Sequence, residues 1–250
     1  MIKTITSLTN PLIQQAVKLH SAKYRDRCKE FIAQGLRVIT TLIEAQHIPI
    51  TVFTTEKLLY HAKKLASQEK IILISETLMK KISTLESASD IVAIFPIPLP
   101  LPYDQITSGV VLMELQNPGN AGTLIRTAVA MNKKTAIFVN SVDPWNPKVV
   151  QASAGAIGLI NIFQLTWDEL ITYKNSLTLC ALVVKNGKDP KKITFNNSLI
   201  IVGNEGQGLS DEKIKQCDEQ ITLLMPGKFE SLNASIAGSI ALYLSATNTL

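Results

Sequence analysis

Apolar and polar positions along this chain follow two rhythms, and the switching between them predicts the elements. Unbroken apolar runs of roughly 4–8 residues suit buried strands, whereas apolar residues at every third or fourth position suit helices lying on a sheet. After residue 105 the strand-like runs are Val110–Leu115, Ala136–Val139, Asn161–Leu165, Leu177–Val184 and Leu199–Val202. Helical segments follow most of them: Ala121–Asn132, Lys148–Gly158, Trp167–Lys174, Asp211–Cys217 and Leu232–Ser245. That order predicts an α/β domain, a largely parallel sheet with helices on both faces. Nearer the N-terminus, Asn10–His20 opens with an Asn-Pro helix start, and Leu36–Ala45 and Glu56–Ala66 have helical period. Ile50–Thr54 and Ile71–Ile74 read as strands, so a second, smaller α/β unit is expected.

Between the two parts, proline occupies every second position from Pro96 to Pro102. Such spacing holds the backbone extended and denies it helix or central strand, which predicts a stiff linker over residues 96–105. The expected organisation is therefore an N-terminal domain over 1–95, the linker, and a C-terminal domain over 106–250. Charge divides at the same place. Residues 1–102 hold 13 Lys/Arg against 8 Asp/Glu, and residues 103–250 hold 12 against 12. The basic excess is densest at Lys18, Lys23, Arg25, Arg27 and Lys29. Two readings of that cluster are open on charge alone: a footprint for a phosphate backbone, or a solvated helix face.

Composition removes several function classes. With 250 residues and 46% hydrophobic content the chain can bury a substantial core, and disorder is excluded. The best apolar run, Ile91–Leu101, is broken by prolines, and the N-terminus lacks a basic-then-apolar leader, so a cytoplasmic protein with no membrane partner is expected. Three scattered cysteines make neither a disulfide framework nor a zinc pattern. His20, His47 and His61 all precede residue 103, so a Ser–His–Asp triad or histidine-held metal within the C-terminal part is excluded.

Three strand-to-helix junctions carry unusual chemistry, and in an open α/β sheet such junctions gather ligands. In Leu115–Ala128, Asn117-Pro118-Gly119 is a turn, Asn120 is placed to cap a helix beginning at Ala121, and Arg126 is the only arginine among the domain's 12 basic residues. In Ile200–Ser210, Gly203, Gly206 and Gly208 allow close approach of a ligand to the backbone, but their spacing is not the dinucleotide fingerprint. Glu205 is the carboxylate expected to face Arg126 or a cationic ligand. In Leu223–Ala237, Ser231 is expected to cap a helix rich in small residues, which suits tight packing within the chain or across a dimer.

Read together, Asn-Pro-Gly-Asn-x-Gly-x-x-x-Arg-Thr-Ala, Gly-Asn-Glu-Gly-x-Gly-Leu and Met-Pro-x-x-x-x-Ser-Leu-Asn-x-Ser-x-Ala resemble, in order and spacing, motifs 1, 2 and 3 of the SpoU-type (TrmH) RNA ribose methyltransferases of the SPOUT class. The resemblance spans about residues 106–245. Tyr24–Ala45 is similar to the start of the small substrate-binding domain that many members carry. Gln151 stands where many relatives have arginine, and Gln34-Gly35 where Glu-Gly is usual.

The resemblance implies a C-terminal domain with a trefoil knot, dimerisation through that domain, and S-adenosyl-L-methionine as cofactor with no metal. It implies methyl transfer to a ribose 2′-hydroxyl of structured RNA, ribosomal RNA ahead of transfer RNA, with an inactive RNA-binding relative as the alternative. By position, Asn120, Arg126, Glu205, Ser231 and Asn233 fall at catalytic polar positions, and Gly203, Leu223 and Leu232 at cofactor-binding ones. Lys23, Arg25 and Arg27 are the expected RNA contacts. For Arg126 the family role is to help deprotonate or polarise the hydroxyl, or to grip phosphate and stabilise the developing alkoxide.

Overall fold

Local chemistry starts most helices of the computed structural model, which describes residues 2–84, 89–227 and 231–247. Pro11 occupies the first turn of a helix whose first free amides are met by the Asn10 side chain, accepting from Leu12 N–H. Ser75 does the same for Leu78 N–H. The chain forms two units, one of Met1–Leu99 with Trp145–Gly158, the other of Pro100–Pro144 with Leu159–Leu250.

In the first unit the order is β1 (Lys3–Ile5), α1 (Pro11–Lys18), α2 (Ala22–Cys28), β2 (Glu30–Gln34), α3 (Leu36–Glu44), β3 (Thr51–Thr54), α4 (Leu59–Leu65), β4 (Ile71–Ile74), α5 (Glu76–Ile82) and β5 (Ile91–Pro96). The strands lie side by side as β1-β4-β3-β5-β2, with β5 antiparallel to both of its neighbours. Ile5, Ile32, Phe53, Ile72, Val92 and Ile94 pack on α1 and α5 residues such as Ile13, Ala16 and Leu78. Phe31 and Phe95 stack at 5.6 Å, and the Trp145 ring lies 4.7 Å from Phe31. His47 Nε2 is 3.0 Å from the Gly158 carbonyl. The stretch Trp145–Gly158, expected to belong with the C-terminal domain, is thus part of the first unit's packing.

The second unit runs β6 (Gly109–Met113), α6 (Pro118–Ala130), β7 (Thr135–Val139), then α7 (Pro147–Ala152) of the first unit, β8 (Asn161–Leu165), α8 (Trp167–Tyr173), β9 (Thr178–Leu182), β10 (Ser198–Val202), α9 (Asp211–Lys215), β11 (Glu219–Ile221) and α10 (Ala234–Thr247). Its sheet is parallel throughout, ordered β11-β9-β10-β6-β7-β8. Alternate residues Val111, Met113, Ile137, Val139, Leu199 and Ile201 face Trp167 and Leu170 of α8. Leu101 and Tyr103 pack against this cluster, so the end of the proline-rich segment covers the core rather than spanning free solvent. On the opposite face α6 and α10 pack together, joined by a Thr127–Ser239 hydroxyl pair at 2.9 Å. Strand and helix ends around β6, β10 and β11 therefore converge at one edge, where the three motif loops lie.

Candidate functional site

The first loop begins in a bend. Glu114, just after β6, has φ of +57°, a left-handed conformation that a side chain other than glycine or asparagine seldom adopts. Asn117 caps α6, its side chain accepting from Gly119 N–H at 2.8 Å and Asn120 N–H at 3.3 Å, with Pro118 following it in the first turn. Asn120, expected as the cap, sits instead inside the first turn and is buried. Its Nδ2 is thereby free to donate across to Glu205 Oε1 at 3.1 Å. Arg126 lies two turns further along α6 and is exposed.

The second loop is folded tightly on itself. Asn204 and Gly208 exchange backbone N–H···O bonds at 3.1 and 3.0 Å, and Asn204 Oδ1 accepts from Gly206 N–H at 2.9 Å and Gln207 N–H at 3.2 Å. A Cβ on Gly203 would stand 2.5 Å from the Gly208 carbonyl carbon, so only glycine lets the loop close there. Any larger residue would thus disrupt the loop's own backbone before it reached a ligand.

Two consecutive side chains tie this loop to the first. Asn204 Nδ2 donates to the Glu114 carbonyl at 2.9 Å. The Glu205 carboxylate accepts from Gln116 N–H at 3.3 Å, Asn117 N–H at 3.0 Å and Asn120 Nδ2. Partial burial works against its ionisation, but these bonds and one from its own amide outweigh that and hold its carboxyl below the usual range. Of the two partners expected for Glu205, Arg126 or a cationic ligand, Arg126 is not met. The donors that it meets are the amides at the start of α6, where a negative charge also suits the helix dipole.

The third loop supplies the far wall. Asn233, not Ser231, caps α10, accepting from Ser235 N–H at 2.9 Å, Ile236 N–H at 3.3 Å and the Ser235 hydroxyl at 2.7 Å. Ser231 is released to line a cleft of about 260 Å³ together with Gly203, Glu205, Leu223 and Leu232. Met225 of the third motif completes an apolar wall with Leu182, Val183 and Val184, which lie outside all three motifs. Periodicity gives no sign of them, because the strand end β9 looks like any buried strand. Arg126 and Asn233 are not among the lining residues. Among the described residues no group of three or more His, Cys, Asp or Glu could hold a metal ion.

The expected RNA contacts separate in the first unit. Lys23 and Arg27 are exposed, and the Arg27 guanidinium lies 4.8 Å from the Tyr24 ring centre. Arg25 is only 2% exposed and donates from Nη1 to the carbonyls of Leu19 at 2.8 Å and His20 at 2.9 Å. It pins the α1–α2 turn and is not available to RNA.

Residues 108–243 match the family model described as SpoU rRNA Methylase. This chain belongs to that family. Residues 10–93 match the model of an MRM3-like substrate binding domain. An uncharacterized tRNA/rRNA methyltransferase of Synechocystis sp. is 30% identical over 97% of the chain and 93% of its own length. A 23S rRNA (guanosine(2553)-2′-O)-methyltransferase of Bacillus subtilis is 23% identical over 97% and 98%. Among solved structures, an AdoMet-bound rRNA methyltransferase of Sinorhizobium meliloti superposes with a TM-score of 0.88 at 25% identity, covering 100% of this chain and 99% of that one. The match to the SpoU methylase family thus spans the junctions just described, and the parallel sheet, cleft and loop buckle belong to its catalytic domain.

Proposed function

We propose that this protein is an S-adenosylmethionine-dependent RNA methyltransferase that acts on a ribose 2′-hydroxyl of ribosomal RNA. The observation that carries the reading is one cleft lined by the second and third motif loops, with Glu205 on its wall tied by hydrogen bonds to the first motif loop. The residues present suit the cofactor: apolar walls from Leu182, Val183, Leu223 and Met225 fit an adenosine, and the glycine-bearing 203–208 loop offers backbone without side-chain bulk. When bound, that cofactor supplies a methyl group already activated by its sulfonium.

The chain's own task is then to bind, orient and manage a proton. Glu205, by fixing Gln116, Asn117 and Asn120, sets the position of the α6 N-terminus and with it the reach of Arg126. Arg126 is exposed and has no carboxylate partner among the described ion pairs, so its planar fork remains available to a phosphate and the adjacent 2′-oxygen. Ser231 is the hydroxyl on the cleft wall nearest in sequence to the α10 cap. Lys23 and Arg27 on α2 give the first unit a cationic face for RNA.

The protein functions as a homodimer in this reading. Ile236, Ile240 and Tyr243 on α10 are 51%, 39% and 55% exposed and recur at helical spacing. A helix apolar on its outer face as well as its inner one is built to be covered on both. The test of the main reading is transfer of labelled methyl from S-adenosylmethionine to ribosomal RNA from cells lacking the gene, followed by mapping of ribose methylation. Labelling of transfer RNA alone, or cofactor binding with no transfer to any RNA, would reject it.

A further inference from the structure

The segment after β9 carries Lys185, Lys188, Lys191 and Lys192, four of the 12 Lys/Arg of residues 103–250 gathered within eight residues. All four are exposed. Their backbone is pinned. Gly187 N–H donates to Thr222 Oγ1 at 2.8 Å, and that hydroxyl donates to the Val183 carbonyl at 3.2 Å. Lys188 N–H donates to the Gln220 carbonyl at 2.8 Å, and Thr222 N–H to the Lys188 carbonyl at 3.1 Å. A Cβ on Gly187 would come within 2.6 Å of the Ile221 carbonyl carbon, so the two segments lie in direct backbone contact. Pro190 and Phe195 are buried and anchor the far side.

Local carboxylates do not neutralise the cluster. Asp189 turns to accept Lys191 N–H at 3.0 Å, and Glu219 pairs with Lys188 at 2.7 Å. Lys185, Lys191 and Lys192 have no carboxylate partner among the described ion pairs. Position completes the argument. Val183 and Val184 line the cleft, and Lys185 is the next residue, so the cations begin at the cleft rim.

We propose that Lys185, Lys191 and Lys192 form a phosphate-binding surface of the catalytic unit that holds the backbone of the substrate RNA beside the cleft. This rests on the reading of the protein as an RNA ribose methyltransferase. A ribose presented at the cleft brings its flanking phosphates to the rim, and lysine heads on a pinned loop meet them as point charges without reading bases.

The test uses the full chain, with Lys185, Lys191 and Lys192 changed together to Gln in one variant and to Arg in another. The probe is an in vitro transcript of 23S rRNA, bound over a salt series, with cofactor affinity measured by calorimetry. The Gln variant should bind about tenfold more weakly near 0.1 M salt, and its log affinity against log salt should flatten by about two to three units. Cofactor affinity should be unchanged, and the Arg variant should restore RNA binding. A Gln variant with the wild-type affinity and slope would overturn the inference, as would an Arg variant as weak as the Gln one. If the wild-type protein neither binds the transcript nor methylates ribosomal RNA, the functional reading falls as well; an active wild type with an unaffected Gln variant overturns only this surface.

Discussion

Replacing Glu205 by glutamine removes one charge and one acceptor from a point where three donors converge. Gln116 N–H reaches Oε2 at 3.3 Å, while Asn117 N–H and Asn120 Nδ2 reach Oε1 at 3.0 and 3.1 Å. With the glutamine oxygen kept towards Asn117 and Asn120, its NH₂ group must face Gln116 N–H, donor against donor. Bonds to a charged acceptor are worth about 1.5–3 kcal/mol and neutral ones about 0.5–1.5. Because Glu205 is exposed and its field is screened by water, the low end applies, so a local loss of about 1–2 kcal/mol is expected. That corresponds to roughly 5–30-fold less protection of the amides it holds.

The sign of the pH dependence follows from the depressed carboxyl of the folded state. Such a group stabilises fully above its unfolded value, near 4.5, and that contribution is lost as pH falls through the lower folded value. The assay is hydrogen exchange at Gln116 and Asn117, wild type against Glu205→Gln, from pH 7 to pH 3. The gap in protection should hold above about pH 5 and narrow as pH falls below about 4.5. A gap that stays constant to the acid end would show that ionised Glu205 does not hold the loop. No gap at pH 7 would refute the buckle itself.

Three other changes probe separate parts of the molecule. Arg126→Lys and Arg126→Ala should each lose about a hundredfold in single-turnover methyl transfer with little change in melting, since Arg126 is exposed; early melting with a normal rate in the cold would make it a structural residue. Arg25→Leu should destabilise by about 2–4 kcal/mol, because the carbonyls of Leu19 and His20 lose a charged donor in a buried turn. Its salt dependence of RNA binding should match wild type, and a flattened slope without loss of stability would return Arg25 to the RNA surface. Ile240→Lys should lower the mass by light scattering from that of the proposed dimer to that of a monomer, whereas an unchanged mass would remove α10 from the interface.

The fold was legible where one face of an element is buried against a neighbour with the same rhythm. Asn161–Leu165 and Ile71–Ile74 emerge with the bounds expected from their apolar runs. Misses have local causes. From Ile97 on the prolines keep the chain out of the sheet, but β5 runs through Pro96, which pairs with Glu30, so the strand enters the segment expected to be linker. β11 is a three-residue edge strand, Glu-Gln-Ile, too short and polar for any period to register. The stretch from Trp145 has a recognisable helix start, yet its partner, the Phe31 ring, lies over a hundred positions away.

At the site, sequence found the residues but exchanged their tasks, and a shift of two or three positions in the helix start accounts for each exchange. Asparagines flank Pro118 at 117 and 120. Proline favours the first helical position, which assigns the cap to Asn117 and leaves Asn120 a turn further in, where it can reach Glu205. In Ser231-Leu232-Asn233 the cap falls to the last residue, and the serine is left to the cleft. The basic cluster obeys the same geometry. On α2, Lys23 and Arg27 are four residues apart and share a face, while Arg25, two from each, points to the opposite side and into the core. Charge counted along the chain merges the three; charge counted by face divides them. No single helical period divides the lysines of 185–192: Lys185 and Lys188 lie in the pinned loop, and Lys191 and Lys192 on the short 3-10 turn Pro190–Lys192. That is why residues 103–250, with 12 basic and 12 acidic side chains, can still present a concentrated cationic edge beside the cleft.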